Sequence, residues 1–317
     1  MRVAVVGAGA IGSVVGGLLA ESGHTVAMVG RGLHLAAMAA AGLRIVGIWG
    51  DHKISGFSAY THVRDIAETD WDLVVISTKS FDTATAIDDA DPLVGPRTLV
   101  LSLQNGLGNV EQIEARFGTC RALGGMAIFG AKLVEPGTVE VTVIASETRI
   151  GSRSGDVAAD RVERVVTAFY EAGIPTLATD AIDSHIWEKV VYNCALNPLS
   201  AVLGVPYGVL AETVFTRNIM RRVIDETYAV ANAKRVRMFC ATADEYYRHF
   251  LDDKVPPTAA HKASMYEDLR LGRRTEIDAL NGMVVKLGSD LGIPCPVNRT
   301  LVRLVKASEC ARRAGGS

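Results

Sequence analysis

The order of elements across residues 2–29 constrains this chain more than anything after it. Arg2 to Val6 is a short apolar run that stops at a glycine, as a buried strand does. Gly7, Gly9 and Gly12 then spell G-x-G-x-x-G, and Val14, Val15, Leu18 and Leu19 follow at helical spacing. Thr25 to Val29 reads as a second strand. Strand, glycine turn, helix and strand in that order are the context a dinucleotide fingerprint requires. Gly7 allows a tight turn, Gly9 lets the backbone approach a pyrophosphate, and Gly12 lets the helix pack close to the strand. Ala8, Ala10 and Ile11 complete the loop, and the unpaired N–H groups of the helix N-terminus suit an anion. A scaffold of this shape that has lost its ligand is the alternative.

The end of the second strand says which nucleotide to expect. A cofactor without a 2′-phosphate meets an acid there, which bonds the ribose hydroxyls. This chain has Gly30 and Arg31 instead, with no acid between Glu21 and Asp51. A guanidinium matches a phosphate in charge and in fork geometry. NADP(H) is therefore expected over NAD(H), against the plainer reading of a solvated arginine at a strand end.

At 317 residues the chain is long enough for two domains, each with its own core. A formal net charge of −2 carries no footprint for nucleic acid or an anionic membrane. No uncharged run is long enough to span a bilayer. The five cysteines show no C-x-x-C spacing, which fits reduced thiols in the cytoplasm. The seven histidines show no ligand spacing either, so no metal site is expected.

Further strand–helix units follow. A helix near Leu33–Ala41 leads to a strand pair near Leu43–Ile48 and Lys53–Phe57. Asp72–Ser77 is a buried parallel strand ending at Thr78 and Lys79, and Thr98–Leu103 is another, ending at Gln104-Asn105-Gly106. Ligands of doubly wound sheets sit beyond the carboxyl ends of the strands. Lys79 and Asn105 occupy such places, although a solvated loop lysine and an Asn-Gly turn former are the bland readings. Strands at Ala127–Phe129, Val139–Ile144 and Thr148–Ile150 are expected to extend the sheet as an antiparallel set. A helix over Ala158–Ala172 and a strand at Pro175–Ala178 close residues 1–178 as a Rossmann-type, doubly wound α/β domain. From about Ala181 helical periods dominate, so residues 179–317 read as an all-α domain with a loose tail from Ala314.

On Ile186–Asn197, Lys189, Asn193 and Asn197 recur every four residues and share one helix stripe. Asparagine is a poor helix former, so two amides and an ammonium in line look aimed at a polar ligand. A solvated stripe is the alternative. Pro198 is expected to end or kink the helix. Ser264 and Asp268 share a helix over Lys262–Leu271, which Gly272 interrupts. Thr275-Glu276-Ile277-Asp278 resembles a helix start with Thr275 as N-cap, where Glu276 could simply favour the dipole.

Together these segments resemble the ketopantoate reductase (2-dehydropantoate 2-reductase) family. The matching stretches are GAGAIG at 7–12, Arg31, TKSFD at 78–82, QNGLG at 104–108 and WEKVVYNCALNPLSAV at 187–202. SMYEDLRLGRRTEIDALNG at 264–282 and GIPCPVN at 292–298 complete them, in family order. The resemblance implies a Rossmann domain followed by an all-helical domain, and NADPH-dependent reduction of ketopantoate to (R)-pantoate in pantothenate synthesis. It implies Lys189 as proton donor, with Asn193 and Asn197 holding the substrate and Asn105 and Ser264 near its carboxylate. Glu276 would lie between the substrate hydroxyl and the nicotinamide ribose, Arg31 at the 2′-phosphate, and Lys79 and Asn105 beside the cofactor. The expected partner is thus a small 2-oxo acid, with a homodimer as one assembly open to the chain. A reductase of another 2-oxo acid and a non-catalytic NADP(H)-sensing protein are the competing functions.

Overall fold

The computed structural model describes residues 1–144 and 146–314. Gly315–Ser317, most of the tail expected to be loose, lie outside them. The described chain divides into two compact units, one of Met1–Gln104 with Asn109–Ile182, the other of Asn105–Gly108 with the residues from Asp183 onward.

The first unit opens with β1 (Arg2–Val6), α1 (Ala10–Glu21), β2 (Thr25–Val29) and α2 (Gly32–Ala41). Three short strands follow, β3 (Leu43–Gly47), β4 (His52–Ile54) and β5 (Ser58–Tyr60). Next come β6 (Leu73–Ile76), α3 (Thr83–Ala90), β7 (Leu99–Ser102), α4 (Asn109–Phe117) and β8 (Ala122–Met126). The pair β9 (Phe129–Glu135) and β10 (Thr138–Ile144), then β11 (Thr148–Gly151), α5 (Ala159–Glu171) and β12 (Thr176–Ala178), complete it. The main sheet runs in the order β12-β11-β8-β7-β6-β1-β2-β5. Its strands from β8 to β5 pair in parallel, and the buried apolar runs of β1, β6 and β7 at its centre are those of a sheet covered on both faces. From β1 the chain winds outward through β2 and β5, then returns to β6 on the other side of β1. The strand order therefore reverses between β1 and β6, where doubly wound sheets hold ligands.

α1 explains a second, unforeseen sheet. Residues Gly12 to Leu19 are buried all round the helix, which leaves it no face for water. A Cβ on Gly16 would lie 3.0 Å from Met28 of the main sheet, and one on Gly17 would lie 2.6 Å from Leu43 of β3. The helix is thus sandwiched between the main sheet and a four-stranded sheet of order β4-β3-β10-β9. This corrects the expectation that residues 121–150 all extend the main sheet in antiparallel fashion. β11 does so against β8, β8 itself runs parallel to β7, and β9 and β10 leave to cover α1. Alternation reveals a strand's faces, but not its partner, and β10 finds β3 about ninety residues upstream.

The second unit consists of α6 (Ile182–Leu203), α7 (Tyr207–Glu212), α8 (Val214–Ala233), α9 (Ala243–His249), α10 (Ser264–Arg270), α11 (Asn281–Asp290) and α12 (Pro296–Ala314). Trp187, Val191 and Leu196 of α6 pack with Ile224, Phe250 and Val284 in its core. Pro198 does not end α6, which continues to Leu203. A proline deprives the carbonyl four residues back of its donor. Here that carbonyl, of Cys194, accepts instead from Asn281 Nδ2 at 3.0 Å. Thr275 does not start a helix: residues 276–280 are turns, and α11 begins at Asn281. The bonds explain it, because Gly282 N–H donates to Ile277 O (2.9 Å) and Leu107 N–H donates to Ala279 O (2.9 Å), a pattern that a regular helix cannot share.

Candidate active site

The glycine loop has the form an anion cradle needs. Gly7 adopts φ +110°, and a Cβ there would strike Thr78 N at 2.5 Å, so the loops after β1 and β6 touch through bare backbone. Gly12 lies so close to Gly7 O that an added Cβ would sit 2.2 Å away. Above Gly9, by contrast, a Cβ would meet nothing within 4 Å. α1 starts there with no capping side chain and no acid in its first turn. Open space over Gly9 and uncapped N–H groups fit a dinucleotide pyrophosphate. Ser77 Oγ donates to Gly7 O at 2.9 Å, and the Gln104 amide donates to Thr78 O (3.1 Å) and Thr83 Oγ1 (2.8 Å), joining the ends of β6 and β7. Lys79 follows on the same loop, half-buried. Arg31 is exposed directly past the end of β2, in extended conformation just before α2.

In the second unit, Lys189, Asn193 and Asn197 lie along α6 as their spacing predicts. Lys189 and Asn193 are half-buried, and Asn197 is buried. Burial pushes the Lys189 ammonium down to about 8, against the opposing pull of the Glu276 carboxylate. An amine and an acid 87 positions apart in sequence thus share one site. Tyr207 O–H donates to Asn197 Oδ1 at 2.7 Å, which fixes that amide. Ser264 is exposed at the start of α10, whose approach to α6 is set by Ala263 N–H donating to Ser200 Oγ at 3.3 Å.

Glu276 is 8% exposed, and the turn that carries it is fastened at both ends. Thr275 donates through both its N–H (2.8 Å) and its hydroxyl (2.6 Å) to Glu309 Oε1 of α12. On the other side, Gly106 with φ +91° brings its backbone so near Ala279 that a Cβ would lie 2.5 Å from the Ala279 carbonyl oxygen. That contact, with the Leu107–Ala279 bond, attaches Asn105 to the Glu276 turn, whereas Gln104 stays with the first unit. Tyr207 and Glu309, which hold Asn197 and the Glu276 turn, are the groups that sequence reading missed. Neither left a signal in the sequence, since each acts through a partner far along the chain.

Among the described residues one set of metal-capable side chains occurs elsewhere: ligand atoms of Cys240, Glu245 and His249 lie within 4.8 Å of one another. They are already engaged. Glu245 Oε2 accepts from Ala241 N–H at 2.9 Å, His249 pairs with Asp253 at 2.8 Å, and burial together with Glu245 pushes the Cys240 thiol up. All five cysteines are free thiols, and among the described residues no helix is long and apolar enough to cross a membrane.

A dinucleotide cradle on a doubly wound sheet, followed in one chain by a helical unit with a lysine beside a buried carboxylate, has the make-up of a nicotinamide-dependent oxidoreductase. The chain belongs to the ketopantoate reductase family: residues 3–155 match "Ketopantoate reductase PanE/ApbA" and residues 181–309 match its C-terminal counterpart. It is 38% identical over 309 residues to the 2-dehydropantoate 2-reductase of Aquifex aeolicus, covering 98% of this chain and 97% of that one. A PanE/ApbA family ketopantoate reductase from Ralstonia eutropha superposes with a TM-score of 0.88 at 32% identity, over 99% of this chain and 100% of the other. D-mandelate dehydrogenase superposes with a TM-score of 0.87 over 99% and 100% of the two chains. At 24% identity that likeness speaks to the fold alone.

Proposed function

We propose that this chain reduces 2-dehydropantoate to (R)-pantoate with NADPH, a step of pantothenate synthesis. The observation that carries the reading is Lys189, an amine brought down to about 8 by burial and opposed by a buried carboxylate. A reductase of a keto group needs such a donor, because negative charge builds on the carbonyl oxygen as hydride arrives. The dinucleotide, when bound along Gly7, Ala8, Gly9, Ala10, Ile11 and Gly12, supplies that hydride. Lys189 stabilises the developing alkoxide and gives it a proton. Asn193 and Asn197 hold the substrate, and because Tyr207 O–H donates to the Asn197 carbonyl oxygen, that amide has its N–H groups to offer as donors. Asn105 and Ser264 take the carboxylate, and Lys79 and Asn105 assist the cofactor. Arg31 pairs with the 2′-phosphate.

Glu276 sets the substrate within the 2-oxo acids. A carboxylate accepts from a hydroxyl, and the primary hydroxyl of 2-dehydropantoate offers one beside the nicotinamide ribose. A cytoplasmic location, supported by the free thiols, and assembly as a homodimer belong to the same proposal.

The test is NADPH oxidation with a panel of 2-oxo acids, repeated with NADH. The panel includes 2-dehydropantoate and its analogue lacking only the primary hydroxyl. We expect NADPH to be preferred, and kcat/KM for 2-dehydropantoate to exceed that for the analogue by at least about a hundredfold. Equal rates for the two acids would overturn the substrate assignment, and preference for NADH would overturn the role of Arg31. Tight NADPH binding with no turnover of any acid would point to a sensing protein.

A further inference from the structure

We propose that Asn281 is a positioning residue for the reaction, fastening the lysine-bearing helix to the segment that carries Glu276 through the one carbonyl of α6 that Pro198 deprives of its donor. The proposal rests on the functional reading above only for its turnover measurements.

Pro198 has no N–H, so the Cys194 carbonyl four residues before it has no partner within the helix. An unsatisfied carbonyl at this depth would destabilise the helix. Asn281 Nδ2 donates to it at 3.0 Å and, with its second hydrogen, to Asn298 Oδ1 at 2.9 Å. Both partners are acceptors, so the orientation of the Asn281 amide is set by chemistry. Asn298 is held in turn, because its Nδ2 (2.8 Å) and its backbone N–H (2.9 Å) both donate to Glu226 Oε2. Asn281 and Asn298 are 0% exposed, so these bonds form without competition from water.

The placement of the two ends gives the bond its consequence. Cys194 follows Lys189 by five residues on α6, and Asn281 follows Glu276 by five residues at the start of α11. Glu309 holds the Glu276 turn on its N-terminal side, and Asn281 holds it on the other. The charge acting on the Lys189 ammonium is that of Glu276, so the setting of α6 against this turn governs how strongly the ammonium is stabilised. A regular helix would spend the Cys194 carbonyl on itself. The proline releases it for a contact between segments 87 positions apart.

The experiment uses the full chain as wild type, N281A, P198A and N281A/P198A. An amine-directed acylating reagent is applied across the pH range, and the half-point of Lys189 modification is read by mass spectrometry, alongside kcat and Tm. We expect N281A to move the half-point down by about half a pH unit or more and to lower kcat on the order of tenfold to a hundredfold. P198A returns a backbone donor to Cys194 but no link between the two segments, so the double variant should regain part of the lost Tm while its half-point and kcat stay with those of N281A. If N281A lowers Tm while the half-point stays, or the double variant recovers the half-point and kcat along with Tm, the proposal is wrong. Should N281A fail to fold, N281S, with one donor in a smaller side chain, is read on the same scale with the double variant as its control. A wild type that does not turn over 2-dehydropantoate would sink the functional reading, while the half-points still decide the role of Asn281.

Discussion

On the proposed mechanism Lys189 donates only while protonated, and its protonated fraction falls as pH rises through about 8. The kcat/KM for reduction should therefore be level at neutral pH and decline above that value. Glu276 raises the Lys189 pKa, so E276Q, which removes the charge, should move the decline to lower pH. A pH profile of E276Q that matches the wild type would separate the two groups. K189A should lower kcat by ~10²–10⁴-fold while NADPH titration by fluorescence gives an unchanged Kd. The shared stripe of Lys189, Asn193 and Asn197 on α6 is legible because a four-residue period is a property of the helix itself. Glu309 and Tyr207 are not, since their roles exist only after chain folding brings them to Thr275 and Asn197. A local sequence window holds neither contact.

At β1–α1–β2 each local cue agrees with the next, and the structure follows the cues closely. At two of the places where elements differ from expectation, a backbone group finds a distant partner. Pro198 signals a helix end until Asn281 supplies the missing donor, and Thr275 signals a helix start until Leu107 takes the Ala279 carbonyl. The second sheet belongs to the same class, because the need to cover α1 is visible in its apolar outer face whereas the identity of the cover is not. Gly12 shows how closely α1 and β1 must approach. In G12A the new Cβ would sit 2.2 Å from Gly7 O and 2.5 Å from Ser77 Oγ, so helix and strand must part. Overpacking of this kind costs about 1–3 kcal/mol, and here it also deforms the phosphate cradle. G12A should lower the urea midpoint and weaken NADPH binding together. Loss of stability with an unchanged Kd for NADPH would mean that the cradle does not hold the pyrophosphate.

The two compact units divide the labour of the proposed reaction, since the cradle, Arg31 and Lys79 lie in one, while Lys189, Asn193, Asn197, Ser264 and Glu276 lie in the other. The chain returns Asn105–Gly108 from the sheet to the helical unit, so Asn105 travels with the substrate-side residues although sequence order places it at a strand end. Cofactor affinity and turnover should therefore be separable by substitution. A ligand present at a hundred times its Kd adds about 2.7 kcal/mol to the stability of the state that binds it. NADPH at that excess should raise the Tm of the wild type, and of K189A by the same amount, because Lys189 supplies a proton and no cofactor contact. R31A should behave in the opposite way, losing most of the NADPH-induced shift while keeping whatever shift NADH produces, since only the 2′-phosphate has lost its partner. An R31A protein whose Tm still responds more to NADPH than to NADH would place the 2′-phosphate elsewhere, and a K189A protein that no longer responds to NADPH would put Lys189 among the cofactor ligands.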